Sequence, residues 1–118
     1  MKILCLFLLA ISSLATAQET PTHFLIECEL GAGVDITHLS QAQGATFQKH
    51  GAYLAKLRDQ GVVIMGGHTD NLQHIRAIII VKAKDGAAAR TLAADDPTVK
   101  ADLLKCSVES FTLGIPPK

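Results

Sequence analysis

The chain has 118 residues, 11 basic and 11 acidic side chains, 48% hydrophobic residues and only 4% aromatic ones. A formal net charge of zero, with no run of like charge, argues against a nucleic-acid binder or a protein drawn to anionic membrane surfaces. The length suits one domain and leaves little room for a second.

Residues 1–17 combine the basic Lys2, an apolar stretch from Ile3 to Leu14 and the small-residue ending Ala15-Thr16-Ala17. This is the pattern of a secretory signal peptide cleaved before Gln18. Its apolar core is short of the roughly 20 residues that span a membrane. The expected mature domain is therefore 18–118, secreted or periplasmic and free of the membrane. Export makes Cys28 and Cys106 the two thiols of an oxidising compartment. Two readings of them stand. As a disulfide they close a long loop, a contribution of roughly 4 kcal/mol in the chain-entropy model; as free thiols they pack like small apolar side chains.

His23 to Leu30 sets Phe24, Ile26 and Cys28 against Leu25, Glu27 and Glu29, the period of a strand. Gly31 and Gly33 follow as a turn, because this lone pair lacks the third glycine of a phosphate cradle. Ser40 with Gln43 forms a capping box for a helix to about Gln60, stopped by Gly61. Phe47, Leu54 and Leu57 share one face of it, and His50 lies on that face's edge. Val62 to Gly67 reads as a second strand. Asp70-Asn71 is the tip of its connection to a third, His74 to Ala83, whose run Ala77 to Val81 is apolar without alternation. Such a run is covered on both faces or central in its sheet.

Asp85 caps a second helix over Gly86 to Ala94, ended by Pro97. Asp95 and Asp96 close that helix, at the end where the macrodipole disfavours carboxylates. Either they form a solvated turn, since Asp before Pro is a common exit, or one of them has a partner elsewhere. A short helical turn over Val99 to Leu104 and a fourth strand over Cys106 to Leu113 complete the chain. The order strand, helix, strand, strand, helix, strand is the ferredoxin-like arrangement, an α+β fold with a four-stranded antiparallel sheet and two helices on one face. Its last strand pairs with its first, which brings Cys106 towards Cys28. The uncovered face is a natural surface for dimerisation.

His50 is the candidate partner of the acidic pair, because imidazole exchanges protons near neutrality and an adjacent carboxylate fixes its tautomer. By spacing alone, His50 reads rather as a hydrogen-bonded residue at the edge of the core. The pattern His50, Tyr53, Leu54, Gly61, Gly66, Gly67, followed by an alanine-rich helix ending in Asp96-Pro97, resembles the YCII-related family of the dimeric α+β barrel superfamily. The resemblance covers most of the mature chain. It implies a ferredoxin-like subunit that dimerises through its sheets, with a His and Asp site in a cleft, carried here by His50 and Asp96; Asp95 has no counterpart. Two positions depart from the family pattern: His68, where proline or a small residue is commoner, and Thr98, where an aromatic is usual.

Tyr53, Gly67 and His68 are the candidate substrate-binding residues. The Tyr53 phenol, a turn from His50, either donates to a substrate oxygen or packs with its hydroxyl at the surface. His68 either reaches the cleft or is exposed. The five histidines show no HxxxH or HxH spacing, so no metal or cofactor is expected. No G-x-S-x-G elbow is present for serine hydrolase chemistry. The reading is acid-base isomerisation or elimination on a small organic molecule, with a non-catalytic small-molecule-binding module as the rival.

Overall fold

Strand β1 (His23–Leu30) alternates buried and less buried positions along its whole length, with Phe24, Ile26 and Cys28 inward. That alternation fixes which face of the sheet receives the helices. The computed structural model describes residue 12 and residues 22–118. The signal peptide expected over residues 1–17 thus lies, Ser12 apart, outside the described residues.

Helix α1 (Gln41–Asp59) follows, then β2 (Val63–His68), β3 (Arg76–Lys82), α2 (Gly86–Ala94), a short α3 (Pro97–Lys100) and β4 (Leu104–Phe111). The sheet is antiparallel in the order β2-β3-β1-β4. Its two central strands, β3 and β1, carry the most apolar sequences, as the unbroken run Ala77 to Val81 requires. The fold is the four-stranded α+β arrangement of the ferredoxin-like class.

On the helix-bearing face, Ile26 lies opposite Ile79 and Val108, and Phe24 opposite Val81. Ala89 and Ala93 of α2 pack on these residues together with Phe47 and Leu54 of α1. Burying each of Phe24, Ile26, Ile79 and Val81 contributes about 1.5–3 kcal/mol. The opposite face alternates Leu25, Ile78 and Ile80 with charged residues and ends in the exposed Met65.

The local signals act as their chemistry dictates. Ser40 and Gln43 form a reciprocal capping box at the start of α1, and Gly61 ends it at φ 73°, where a side chain would be strained. Gly31 serves differently: a Cβ there would collide with the Asp102 backbone, and the Gly31 N–H donates to the Leu103 carbonyl at 2.9 Å. That close approach ties the end of β1 to the segment entering β4.

Strand ends shift by one or two residues, to Val63–His68 for β2, Arg76–Lys82 for β3 and Leu104–Phe111 for β4, and the short helix moves too. The short helix starts at Pro97 and ends at Lys100 rather than spanning Val99 to Leu104, because proline is favoured in a first helical turn. Strand β4 begins at Leu104, which pairs with Leu30. Of the two readings of the cysteines, the structure holds the disulfide: Cys28 and Cys106 are direct cross-strand partners with Cα atoms 4.0 Å apart, and their sulfurs are bonded. No helix among the described residues is long and apolar enough to cross a membrane.

Candidate functional site

The acidic pair at the α2 end divides its work. Asp95 ends α2 and is exposed. Asp96 is extended, at φ −62° and ψ 129°, and caps the start of α3. Its Oδ1 accepts from the Thr98 N–H at 2.9 Å and from the Thr98 hydroxyl at 2.6 Å. The Asp96 charge therefore sits at the positive end of α3, where the macrodipole favours it. The conflict inferred from the position after α2 disappears once Asp96-Pro97 is seen to open a helix.

The second carboxylate oxygen reaches α1. Asp96 Oδ2 lies 2.7 Å from His50 Nδ1, and the two side chains are only 7% and 17% exposed. His50 is one turn beyond Phe47 and one turn before Leu54, the residues that turn α1 towards the core. The Phe47 and His50 rings meet edge-on, with centroids 6.3 Å apart and planes at 80°. Thr98, fully buried, places its hydroxyl 3.4 Å from His50 Nδ1 as a weaker third contact.

Burial pushes the Asp96 pKa upward, but the hydrogen bonds from His50 and Thr98, with the His50 charge, outweigh it and hold the carboxyl below its ordinary value. An ionised carboxylate can only accept. The proton in the 2.7 Å contact therefore belongs to His50 Nδ1, which leaves Nε2 as the nitrogen that can take a proton from elsewhere.

Beside this pair is a cavity of about 370 Å³. Its floor is the helix-facing side of the sheet, from Cys28, Leu30, Ala77 and Leu104, and α1 contributes Phe47 and His50. Loops close the rest. Ile36 and Leu39 come from the β1–α1 connection, and Leu72 and Ile75 from the β2–β3 connection. The first loop is shaped by Asp35, whose Oδ1 accepts from the Thr37 N–H at 2.9 Å and whose Oδ2 lies 3.1 Å from His38 Nδ1. That turn keeps Asp35, Thr37 and His38 in solvent and leaves Ile36 and Leu39 for the cavity.

His68 lines this cavity and is at the same time exposed, since it pairs with Ala77 at the end of β2 on the helix-bearing side of the sheet. Gly67 does not: it pairs with Ile78 on the opposite face. Tyr53 is also elsewhere. Its hydroxyl donates to the Leu92 carbonyl at 2.8 Å. Burial, with the nearby Asp95 and Asp96 charges, raises its pKa, so the phenol stays a neutral donor bracing α1 against α2. The structure thus gathers His50, Asp96 and His68 at one site, puts the Cys28 sulfur under its floor, and leaves Tyr53 and Gly67 outside it. Among the described residues, no group of three or more His, Cys, Asp or Glu side chains is placed to hold a metal ion.

A family model for the YCII-related domain matches residues 13–112. The chain belongs to the YCII-related family. Among solved structures, this YCII-related chain is similar to 5-chloro-2-hydroxyhydroquinone dehydrochlorinase from Burkholderia phenoliruptrix AC1100, solved in complex with 2,5-dihydroxybenzoquinone. The likeness has a TM-score of 0.59 at 22% identity and covers 76% of this chain and 93% of that one, which establishes the shared fold. No curated protein matches the chain.

The loop residues Ile36, Leu39, Leu72 and Ile75 are the site components that the sequence did not single out, while Thr98, marked there only as a departure from the family pattern, proves to be a partner of Asp96. Large aliphatic residues inside otherwise polar connections were their one available signal.

Because the folded pKa of Asp96 is lowered, the stability it brings is complete above the unfolded value of about 3.9 and is lost as pH falls through the folded one. Asp96→Asn should lower the unfolding free energy by about 1.5–3 kcal/mol near neutrality, the range for hydrogen bonds to a charged group. Urea titrations from about pH 7 down to about pH 3 should show wild type and variant converging below about pH 4. A gap that stays constant over that range would contradict the assignment.

Proposed function

We propose that this YCII-family protein is an acid-base catalyst that moves a proton on a small, largely apolar organic molecule, by isomerisation or elimination. The carrying observation is the 2.7 Å contact that orients His50 through Asp96 at the wall of an apolar cavity. His50 Nε2 takes a proton from a carbon beside a carbonyl, and the electron pair of that C–H bond forms a carbon–carbon double bond. The carbonyl π pair moves onto its oxygen as an enolate, which returns to a carbonyl as the reaction completes. In an elimination the leaving group departs with its own bonding pair. In an isomerisation the imidazolium returns the proton at the far end of the shifted system. Asp96 stabilises the imidazolium formed between these steps.

Two further points support a small-molecule reaction. A cavity of about 370 Å³ lies in the lower part of the range for small-molecule sites, about 300–1,000 Å³. The structurally similar dehydrochlorinase is named for an elimination and was solved with a quinone. The predominantly apolar lining is the observation that favours the rival, a binding module without turnover.

One panel separates the two. Small cyclic ketones and chlorinated hydroxyarenes are incubated with the protein in D2O, with deuterium incorporation and halide release followed by NMR and ion chromatography. We expect at least one compound to react, and His50→Ala to slow it by about 10²–10⁴-fold, the usual contribution of a positioned general base. Saturable binding without reaction, or turnover unchanged in His50→Ala, would overturn catalysis at His50.

The proposal includes export and a homodimer. Export is supported by the pattern of residues 1–17 and by the Cys28–Cys106 disulfide, a bond of oxidising compartments. The homodimer is supported by the apolar residues Leu25, Ile78 and Met65 on the sheet face away from the helices. Native mass spectrometry of protein recovered from the periplasm or medium should give two chains that begin at Gln18, each with the disulfide intact. A monomer, or a chain retaining residues 1–17, would contradict the corresponding part.

A further inference from the structure

His50 and His68 are the only polar side chains among the residues lining the large cavity; the rest are aliphatic, aromatic or the disulfide-bonded Cys28. Both imidazoles are held through the same nitrogen. His50 Nδ1 faces the Asp96 carboxylate at 2.7 Å, and His68 Nδ1 lies 3.0 Å from the Thr69 carbonyl oxygen. Carboxylates and carbonyls accept and never donate, so each Nδ1 carries the proton in the neutral ring. Each ring then offers a bare Nε2, an acceptor, to a ligand.

Two acceptors in an apolar chamber define a chemical pattern. A molecule entering it gives up water along the apolar wall, and a donor turned to that wall rather than to one of these nitrogens loses its partner, at a cost of about 1–3 kcal/mol. An acceptor on the ligand gains nothing from either neutral ring. We propose that His68 is a specificity-determining residue, and that the cavity selects a compact, largely apolar molecule carrying two hydroxyl donors, one for each imidazole. This rests on the reading of His50 as the proton-accepting group of the site. In that arrangement the hydroxyl on His68 fixes which edge of the ligand is turned towards His50; when that edge takes its carbonyl tautomer its hydroxyl hydrogen is gone, and His50 Nε2 is free for the neighbouring C–H. His68 is placed for the task by the backbone: it ends β2 opposite Ala77, and its Nδ1 contact to the next residue's carbonyl holds the tautomer.

The test uses the three benzenediols with their monomethyl and dimethyl ethers as probes, at about pH 8, above the reference imidazole value of about 6.5. Affinities are measured by NMR titration of the full mature protein. With wild type, at least one diol should bind about 5–10-fold more tightly than its monomethyl ether, which should in turn bind more tightly than the dimethyl ether; a tenfold step corresponds to 1.4 kcal/mol. In His68→Leu, that diol and its monomethyl ether should bind alike, while the dimethyl ether remains weaker. His68→Gln, which retains an acceptor, should restore part of the preference. Equal binding of all three compounds to wild type, failure of every diol to bind, or an unchanged diol preference in His68→Leu would overturn the inference. A preference lost in His50→Leu but kept in His68→Leu rejects the role of His68 alone. Deuterium exchange that depends on His50 without any diol preference does the same, and in both cases the reading of His50 survives.

Discussion

The site depends on one buried contact between residues 46 apart in sequence, His50 Nδ1 and Asp96 Oδ2 at 2.7 Å. It joins the middle of α1 to the junction of α2 and α3, so the packing of both on the sheet determines whether the imidazole is oriented at all. Burial alone would work against it, since a carboxylate removed from water tends to take up a proton. The Thr98 N–H and hydroxyl, both on Asp96 Oδ1, offset that cost and free Oδ2 for His50. Asp96 thus caps a helix with one oxygen and orients a histidine with the other. A substitution that merely preserved the cap would not preserve the orientation.

Much of the fold was legible because the signals were local. The alternation of β1, the Ser40 and Gln43 capping box and the left-handed stop at Gly61 each act over a few residues, and each survives in the structure. The unbroken apolar run of β3 correctly marked a central strand. Asp96-Pro97 was harder, because the same dipeptide can leave one helix or open the next. Here it opens α3, which also explains why a carboxylate tolerates that place.

The site was less legible. Side-chain chemistry suggested His50 as a partner for the acidic pair, but only the family resemblance singled out Asp96 from Asp95, since no spacing relates residues so far apart. The aliphatic wall from Ile36, Leu39, Leu72 and Ile75 sits in connections without periodicity, where hydrophobic patterning has nothing to count. Tyr53 shows the opposite difficulty. Its helical spacing from His50 is real, yet the phenol turns to the Leu92 carbonyl, because a partly buried hydroxyl needs a partner and the nearest lies on α2. Gly67 is separated from the cavity by strand alternation alone, one residue from His68 and on the other face.

The Cys28–Cys106 disulfide joins β1 to β4 directly beneath the cavity, so the floor under His50 is covalently stapled while its walls are loops. The central claim is that the carboxylate dictates which imidazole nitrogen holds the proton, and a long-range ¹H–¹⁵N correlation spectrum of His50 at about pH 8 tests it most directly. The account expects the neutral ring to be protonated at Nδ1 in the wild type and to lose that preference in Asp96→Asn. A wild-type ring protonated at Nε2, or a tautomer indifferent to Asp96→Asn, would contradict it.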